Sequence, residues 1–139
     1  MRTFDSYHTF IFELFDLSGR VKFSVPDIRI HQIYKNKNVD GYRVLVDRLW
    51  PRGISKENAK LDDWWKDLTP SPALRKWFGH SEERYDAFKM HYIEELEQNR
   101  SLAIDCLASV KQNPLLLLYG AKSPTCNHAI VLQSFLKNL

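Results

Sequence analysis

The sequence has few of the residues by which small proteins are cross-linked or bind metals. Cys106 and Cys126 are its only cysteines, and neither belongs to a C-x-x-C or Cys/His spacing that suits zinc. It also has no Gly-rich phosphate loop, no G-x-S-x-G nucleophile elbow and no H-E-x-x-H pair. We therefore predict no disulfide framework, no metal site and no cofactor, and no common motif assigns a reaction.

Long apolar runs and a strong charge excess are also lacking. Three acidic residues interrupt the aromatic-rich first twenty residues, and no small-residue cleavage pattern follows them. We therefore expect neither a signal peptide nor a membrane span, and predict a cytoplasmic protein with no membrane partner. The 20 basic and 17 acidic residues give a formal net charge of +3, which permits nucleic-acid binding without requiring it.

The composition is that of a packed globular domain. Hydrophobic residues make up 44% and aromatic residues 13% of the 139 residues, which is enough for one hydrophobic core. We assign residues 28–139 to a single α/β domain. Residues 1–27, which are rich in phenylalanine, are interpreted as an N-terminal extension that is either poorly ordered or forms an interface, such as that of a homodimer.

Three segments have the patterns of β-strands. Residues 28–34 alternate apolar and polar side chains, residues 42–47 have an unbroken apolar centre, and residues 115–119 form a continuous apolar run. A long segment with helical spacing separates the last two strands. We therefore predict an α/β fold: a small, mainly parallel sheet of about three strands with a long helical crossover and a C-terminal helix.

The crossover, residues 61–112, has apolar residues three and four positions apart, as in helices. Ser71-Pro72 predicts the N-cap and first position of one helix, and Gly79 predicts its end. Ser81 predicts the start of a longer helix, and Ser123-Pro124 predicts the start of the last one. Two apolar faces are predicted to pack inward, one made of Leu61, Trp64, Trp65 and Leu68 and the other of Tyr85, Phe88, Tyr92 and Leu96.

A first group of polar residues follows the second predicted strand: Asp47, Arg48, Trp50 and Arg52. Arginine guanidinium groups suit phosphate or carboxylate, and Trp50 can stack on a base or sugar. Asp47 would hold an arginine in place or act as a general base. In the structural alternative, Asp47 pairs with one of the two arginines and Trp50 belongs to the core.

A second group follows the third predicted strand and consists of Tyr119, Lys122, Ser123, Asn127 and His128. Ligands of open α/β sheets bind outside the carboxyl ends of the strands, and anions bind at helix N-termini. We therefore predict a ligand site at this edge, with Asp47 and His128 as candidate catalytic residues. Taken alone, His128 is more typical of a structural histidine, and Asn127 and His128 are expected to lie beyond the mouth of the last helix.

Residues 74–80 interleave basic and aromatic side chains, as nucleic-acid-binding surfaces do. Helical spacing also explains this pattern, with Leu74, Trp77 and Phe78 inward and Arg75 and Lys76 outward. We prefer the structural interpretation of this segment.

Three blocks of the sequence closely resemble the YeaO-like branch of the bacterial domain of unknown function family 488. They are GYRVLVDRLWPRG at residues 41–53, LRKWFGH at residues 74–80, and Leu117 to Tyr119 with Ala121-Lys122 and Asn127-His128-Ala129. The resemblance covers residues 28–136 and implies the polar set Asp47, Arg48, Trp50, Arg52, Lys122, Asn127 and His128. Broader relatives carry Cys-His-Arg where this chain has Cys126-Asn127-His128, so no thiol or imidazole mechanism is transferred from them.

The residues favour binding of a phosphorylated or otherwise anionic ligand, such as a nucleotide or nucleic-acid fragment, with or without catalysis. One alternative is a non-catalytic module that binds the nucleic-acid backbone, with steep salt dependence. Another is a protein that acts through a protein partner, with its polar cluster serving as an internal ion-pair network.

Overall fold

The computed structural model describes residues 25–35 and 38–139, and in this part of the chain a four-stranded sheet carries helices on one face. The strands are β1 (Ile28–Gln32), β2 (Tyr42–Leu45), β3 (Asp63–Trp64) and β4 (Leu115–Tyr119). Residues 1–24 lie outside the described part, and with them nearly all of the predicted extension.

The sheet is parallel throughout, with the strand order β1-β4-β2-β3. β4 is central, and Leu115 lies opposite Ile28 of β1 and Tyr42 of β2. All five residues of β4 are buried, because neighbouring strands cover its edges and packed residues cover both of its faces. The predicted α/β fold with a parallel sheet, a helical crossover and a C-terminal helix is confirmed, with one strand more than expected.

The helices of the described residues are α1 (Lys56–Ala59), α2 (Pro72–Phe78), α3 (Tyr85–Gln98), α4 (Arg100–Ala108) and α5 (His128–Lys137). Short 3-10 turns occupy Lys66–Leu68 and Glu82–Arg84. Across residues 25–35 and 38–139, none of these helices has the length and apolar character needed to cross a membrane.

Alternation along the strands divides the core between the two faces of the sheet. Leu115 and Leu117 pack with the helices, whereas Leu116 and Leu118 pack on the other face. That second face is covered by side chains of the connections rather than by long helices: Val39, Trp50, Ile54, Leu61 and Trp64. The α3 residues predicted to face inward are all buried, namely Tyr85, Phe88, Tyr92 and Leu96.

The predicted limits of α2 are confirmed. The Ser71 hydroxyl accepts a hydrogen bond from the Leu74 N–H at 3.1 Å, Pro72 is the first helical residue, and Gly79 ends the helix at φ +52°. Ser81 makes no side-chain capping bond, and the α-helix after it begins at Tyr85.

Two other predictions of helix position are wrong. Residues 61–68 do not form a helical face. Asp63 and Trp64 form the edge strand β3, and just before it the Asp62 N–H donates a hydrogen bond to the Arg43 carbonyl at 2.7 Å. The last helix begins at His128 rather than beside Ser123, and Asn127 is its N-cap.

Candidate functional site

A cleft of about 560 Å³ lies at the carboxyl ends of β2 and β4. This volume is in the range of small-molecule sites. Twenty residues line the cleft, drawn from the segments that follow β1, β2 and β4, from the Thr69–Pro70 turn, and from α2, α3 and the start of α5. The predicted edge of the sheet is therefore the edge that carries the cleft.

The segment after β2 is fixed by two indole groups. The Val46 N–H continues the sheet by donating to the Leu118 carbonyl at 3.0 Å, and the chain then turns away from the sheet. The Trp64 Nε1–H donates to the Asp47 carbonyl at 2.6 Å, and the Trp50 Nε1–H donates to the Ile54 carbonyl at 2.6 Å. These bonds hold Asp47 and the residues that follow it at the mouth of the cleft.

Asp47 connects the ends of the two central strands. Its Oδ2 accepts a hydrogen bond from the Gly120 N–H at 2.8 Å, and its Oδ1 lies 3.0 Å from His128 Nε2. An ideal Cβ on Gly120 would lie 2.9 Å from Asp47 Oδ2, so any larger residue at position 120 would displace the carboxylate. No ion pair joins Asp47 to Arg48 or Arg52 within the described residues, in contrast to the structural alternative for Asp47.

The ring of His128 is oriented by two acceptors. Its Nε2 lies 2.8 Å from the Val46 carbonyl oxygen as well as 3.0 Å from the Asp47 carboxylate. Because both neighbours are acceptors, Nε2 carries the proton. That proton is directed at the carbonyl, so the carboxylate contact is electrostatic rather than a second linear hydrogen bond. Residues far away in the sequence thus fix the tautomer of His128.

Asn127 and His128 lie at the mouth of α5, not beyond it. The Asn127 Oδ1 accepts from the Ile130 N–H at 3.0 Å, and its Nδ2 donates to the Ser123 carbonyl at 2.9 Å. The Asn127 carbonyl accepts from the Tyr85 hydroxyl at 2.8 Å, which ties α5 to α3. Both residues line the cleft, so the positive end of the ten-residue helix α5 opens into it.

The charge of the cleft lining is strongly positive. Four basic side chains line it, Arg48 and Arg52 after β2 and Arg75 and Lys76 on α2, whereas Asp47 is the only acidic residue of the lining. Among the described residues, none of the four forms an ion pair. The Nε of Arg48 is buried and has no hydrogen-bond partner in this part of the chain.

Six of the nine predicted site residues line the cleft: Asp47, Arg48, Trp50, Arg52, Asn127 and His128. The remaining three do not. Tyr119 lies in the core, where burial raises the pKa of its hydroxyl. Lys122 is exposed outside the cleft, and the Ser123 hydroxyl accepts from the Thr125 and Cys126 N–H groups in a turn.

Several lining residues were not predicted as site residues. Leu74 and Phe78 are buried as expected, but Arg75 and Lys76 are exposed into the cleft. Trp77 is exposed rather than inward, which corrects its predicted packing. The mixture of basic and aromatic residues in this segment was the available signal. Tyr34, which also lines the cleft, gave no signal beyond its place at the end of the first strand.

Metal-binding and thiol groups contribute little to this site. Among residues 25–35 and 38–139, no group of three or more His, Cys, Asp or Glu side chains could hold a metal ion. Both cysteines are free thiols, and Cys126 lines the cleft. Cys106 lies away from the cleft, and burial raises the pKa of its thiol to about 12.

The chain is similar to uncharacterized bacterial proteins. It is 48% identical over 100 residues to the uncharacterized protein YeaO of Escherichia coli K12. The matched residues are 72% of this chain and 87% of YeaO. It is 44% identical over 77 residues to uncharacterized proteins of Mycobacterium bovis and Mycobacterium tuberculosis, covering 55% of this chain and 65% of each of them. No solved structure matches the chain.

A family model also matches residues 27–139, which include the whole sheet, all of the described helices and every residue that lines the cleft. The match agrees with the resemblance seen in the three sequence blocks. The chain belongs to the family DUF488-N3i, which is described as the inactive DUF488-N3 subclade.

Proposed function

We propose that the cleft binds a phosphorylated or otherwise anionic ligand. The observation that carries this proposal is the set of four cations, Arg48, Arg52, Arg75 and Lys76, which line one cleft without an ion pair among the described residues. Of the four, Arg48 is partly buried and its buried Nε has no hydrogen-bond partner among the described residues, whereas a partly buried cation that serves only structure is usually paired with a carboxylate. Arg52, Arg75 and Lys76 are exposed and add positive charge around the same cleft. The single acidic residue of the lining, Asp47, contacts Gly120 and His128 instead.

The start of α5 supports the same proposal. The first N–H groups of a helix have no partners within the helix, and the helix dipole adds positive partial charge there. Because Asn127 and His128 line the cleft, an anion held by the arginines would lie close to this helix end.

Binding without turnover is the form of the proposal that we favour. The family to which the chain belongs is described as inactive. Asp47 Oδ2 already accepts from the Gly120 N–H, and the proton on His128 Nε2 is directed at the Val46 carbonyl. Asp47 would then act by positioning Gly120 and His128 rather than by accepting a proton from the ligand.

A catalytic role for Asp47 and His128 is the second candidate. The observation that favours it is their 3.0 Å contact at the edge of a cleft, since a carboxylate beside an imidazole is a common arrangement for proton transfer. Conversion of a bound ligand by the wild type, lost in His128→Gln while binding persists, would support catalysis over binding alone.

The test of anion binding is calorimetric titration with inorganic pyrophosphate. Arg52→Ala and Arg75→Ala should each weaken binding roughly tenfold or more, because each removes a charged hydrogen-bond donor. Arg100→Ala is the matched control, since Arg100 lies on α4, pairs with Glu97 and does not line the cleft. Equal loss in all three variants would indicate a general charge effect, and no binding by the wild type would refute the proposal.

A further inference from the structure

Tyr34 lines the cleft, and the proposed anion binding does not explain its presence there. It follows β1, and 41% of its surface remains exposed. Its hydroxyl donates to the Arg52 carbonyl at 3.0 Å, and its own N–H donates to the Gln32 Oε1 at 3.0 Å. Both ends of the residue are therefore fixed while its ring stays accessible.

The position of the ring places it beside the anion site. An ideal Cβ on Gly120 would lie 3.8 Å from Tyr34 Cε2 and 2.9 Å from Asp47 Oδ2, so the ring and the carboxylate flank the same glycine. The bond to the Arg52 carbonyl joins the ring to the segment that carries two of the four cations. An aromatic surface and a cationic surface thus meet in one cleft.

Tyr34 differs from Trp77, an equally exposed aromatic residue, in having an uncovered ring in the described part of the chain. Trp77 is also 41% exposed, but His91 packs edge-on against its ring at 5.9 Å and Arg84 lies over it at 5.3 Å. Among the described residues, Tyr34 has no aromatic neighbour and no cation over its ring. A fixed, accessible ring loses little conformational freedom when a planar group stacks on it.

We propose that Tyr34 stacks on a nucleobase, so that the ligand of the cleft is a nucleotide unit with its base on Tyr34 and its phosphates on the cations. The inference rests on the proposed anion binding and adds the class of ligand. The cleft of about 560 Å³ can hold a nucleotide. A free nucleotide and the end of a single-stranded nucleic acid share this chemistry, and the experiment distinguishes them.

Calorimetric titration of the full chain with ADP, UDP, inorganic pyrophosphate and a short oligothymidylate provides the test. Both nucleotides should bind more tightly than pyrophosphate. Compared with Tyr34→Phe, which also lacks the hydroxyl bond to the Arg52 carbonyl, Tyr34→Leu should weaken nucleotide binding roughly 5- to 150-fold, the effect of losing one base–aromatic stack. The two variants should bind pyrophosphate equally well. Tyr34→Phe should keep most of the affinity, because it retains the ring, and Trp77→Leu is the control for loss of an equally exposed aromatic.

The outcomes separate this inference from the proposed function. Equal affinity for ADP and pyrophosphate, or nucleotide binding unchanged in Tyr34→Leu, would overturn the stacking role while anion binding stands. Binding of none of the anions would overturn both. If pyrophosphate binds but the oligothymidylate binds more tightly than ADP and UDP, and Tyr34→Leu weakens that binding, the stacking role is supported and the source of the nucleotide unit is a nucleic-acid strand.

Discussion

Asp47 is the residue through which the ends of the two central strands are held together. It follows β2, its Oδ2 accepts from the N–H of Gly120 after β4, and its Oδ1 lies beside His128 at the start of α5. With Asp47 in place, a Cβ at position 120 would lie 2.9 Å from the carboxylate, so a larger residue there requires the carboxylate to move. The two residues are therefore energetically coupled.

Gly120→Ala should destabilise the fold by about 1–3 kcal/mol, because the added methyl group forces the Asp47 carboxylate from its position. Asp47→Ala should also destabilise it, since the Gly120 N–H loses its acceptor. The double variant should be less destabilised than the sum of the two single variants by about 1 kcal/mol, because the methyl group then meets no carboxylate. Urea unfolding of the four proteins measures this coupling, and additive effects would contradict it.

The tautomer of His128 is a second prediction for a single residue. Because Nε2 faces the Val46 carbonyl and the Asp47 carboxylate, the neutral ring should carry its proton on Nε2. Two-bond nitrogen–proton correlation spectra of the ring distinguish the two tautomers, with His91, exposed on α3, as reference. A proton found on Nδ1 would show that the ring is turned the other way.

The positions of these residues could be predicted from the sequence, but their contacts could not. The carboxyl ends of buried strands are recognisable from apolar runs followed by polar residues, so Asp47, Arg52 and His128 were identified as candidates. The partners of Asp47 could not be identified, since Gly120 and His128 lie more than 70 residues away in the chain. Tyr34 was missed because an isolated tyrosine after a strand has no distinguishing pattern.

At the scale of elements, α2 and α5 show that a Ser-Pro pair does not always mark the start of a helix. Ser-Pro occurs before both helices, yet only Ser71 caps one. Ser123 accepts from the N–H groups of Thr125 and Cys126 in a turn, and Asn127 takes the capping role four residues later. A Ser-Pro pair occurs in turns as well as at helix N-termini, and the neighbouring residues do not distinguish the two cases.

Asn127→Ala should destabilise the protein by about 2 kcal/mol, because it removes both the cap of α5 and the bond to the Ser123 carbonyl. Asn127→Ser should recover about half of this loss, since serine retains a capping oxygen but not the amide donor. Urea unfolding measures both variants. Equal destabilisation by Ala and Ser would show that the cap contributes nothing.

The edge strand β3 was missed for a related reason. Leu61, Trp64, Trp65 and Leu68 have helical spacing, but two residues of strand are too few to show a period of two. The structure favours the strand because the N–H groups of Asp62 and Trp65 find carbonyl acceptors on Arg43 and Leu45 of β2. Long-range pairing overrides a local pattern here.

For the molecule as a whole, burial of weak acids makes stability sensitive to alkaline pH. Burial raises the pKa of Cys106 from 9.0 to about 12 and raises that of the fully buried Tyr92 well above 10.0. Burial also raises the pKa of Tyr42, Tyr85 and Tyr119. Unfolding frees all of these groups to lose their protons.

Between pH 9.0 and about pH 12, the Cys106 thiol is ionised in the unfolded chain but not in the folded one. The free energy of unfolding should therefore fall as the pH rises through this range. The unfolded state then binds fewer protons than the native state, so the slope is negative, at about 1.4 kcal/mol per pH unit for each such group. Cys106→Ala should reduce the slope from pH 9.0 upward, and Tyr92→Phe should do so above pH 10.0. Urea unfolding across this range measures it, and a constant free energy would contradict the prediction.

The central place of β4 has a consequence for synthesis on the ribosome. β1 gains its neighbour only when residues 115–119 have been made, since Ile28 pairs with Leu115. At roughly 5–20 residues per second, this leaves the nascent β1 without its partner for several seconds. During that interval the backbone groups of β1 have no strand to pair with, so the sheet is completed only after the whole helical crossover has been made.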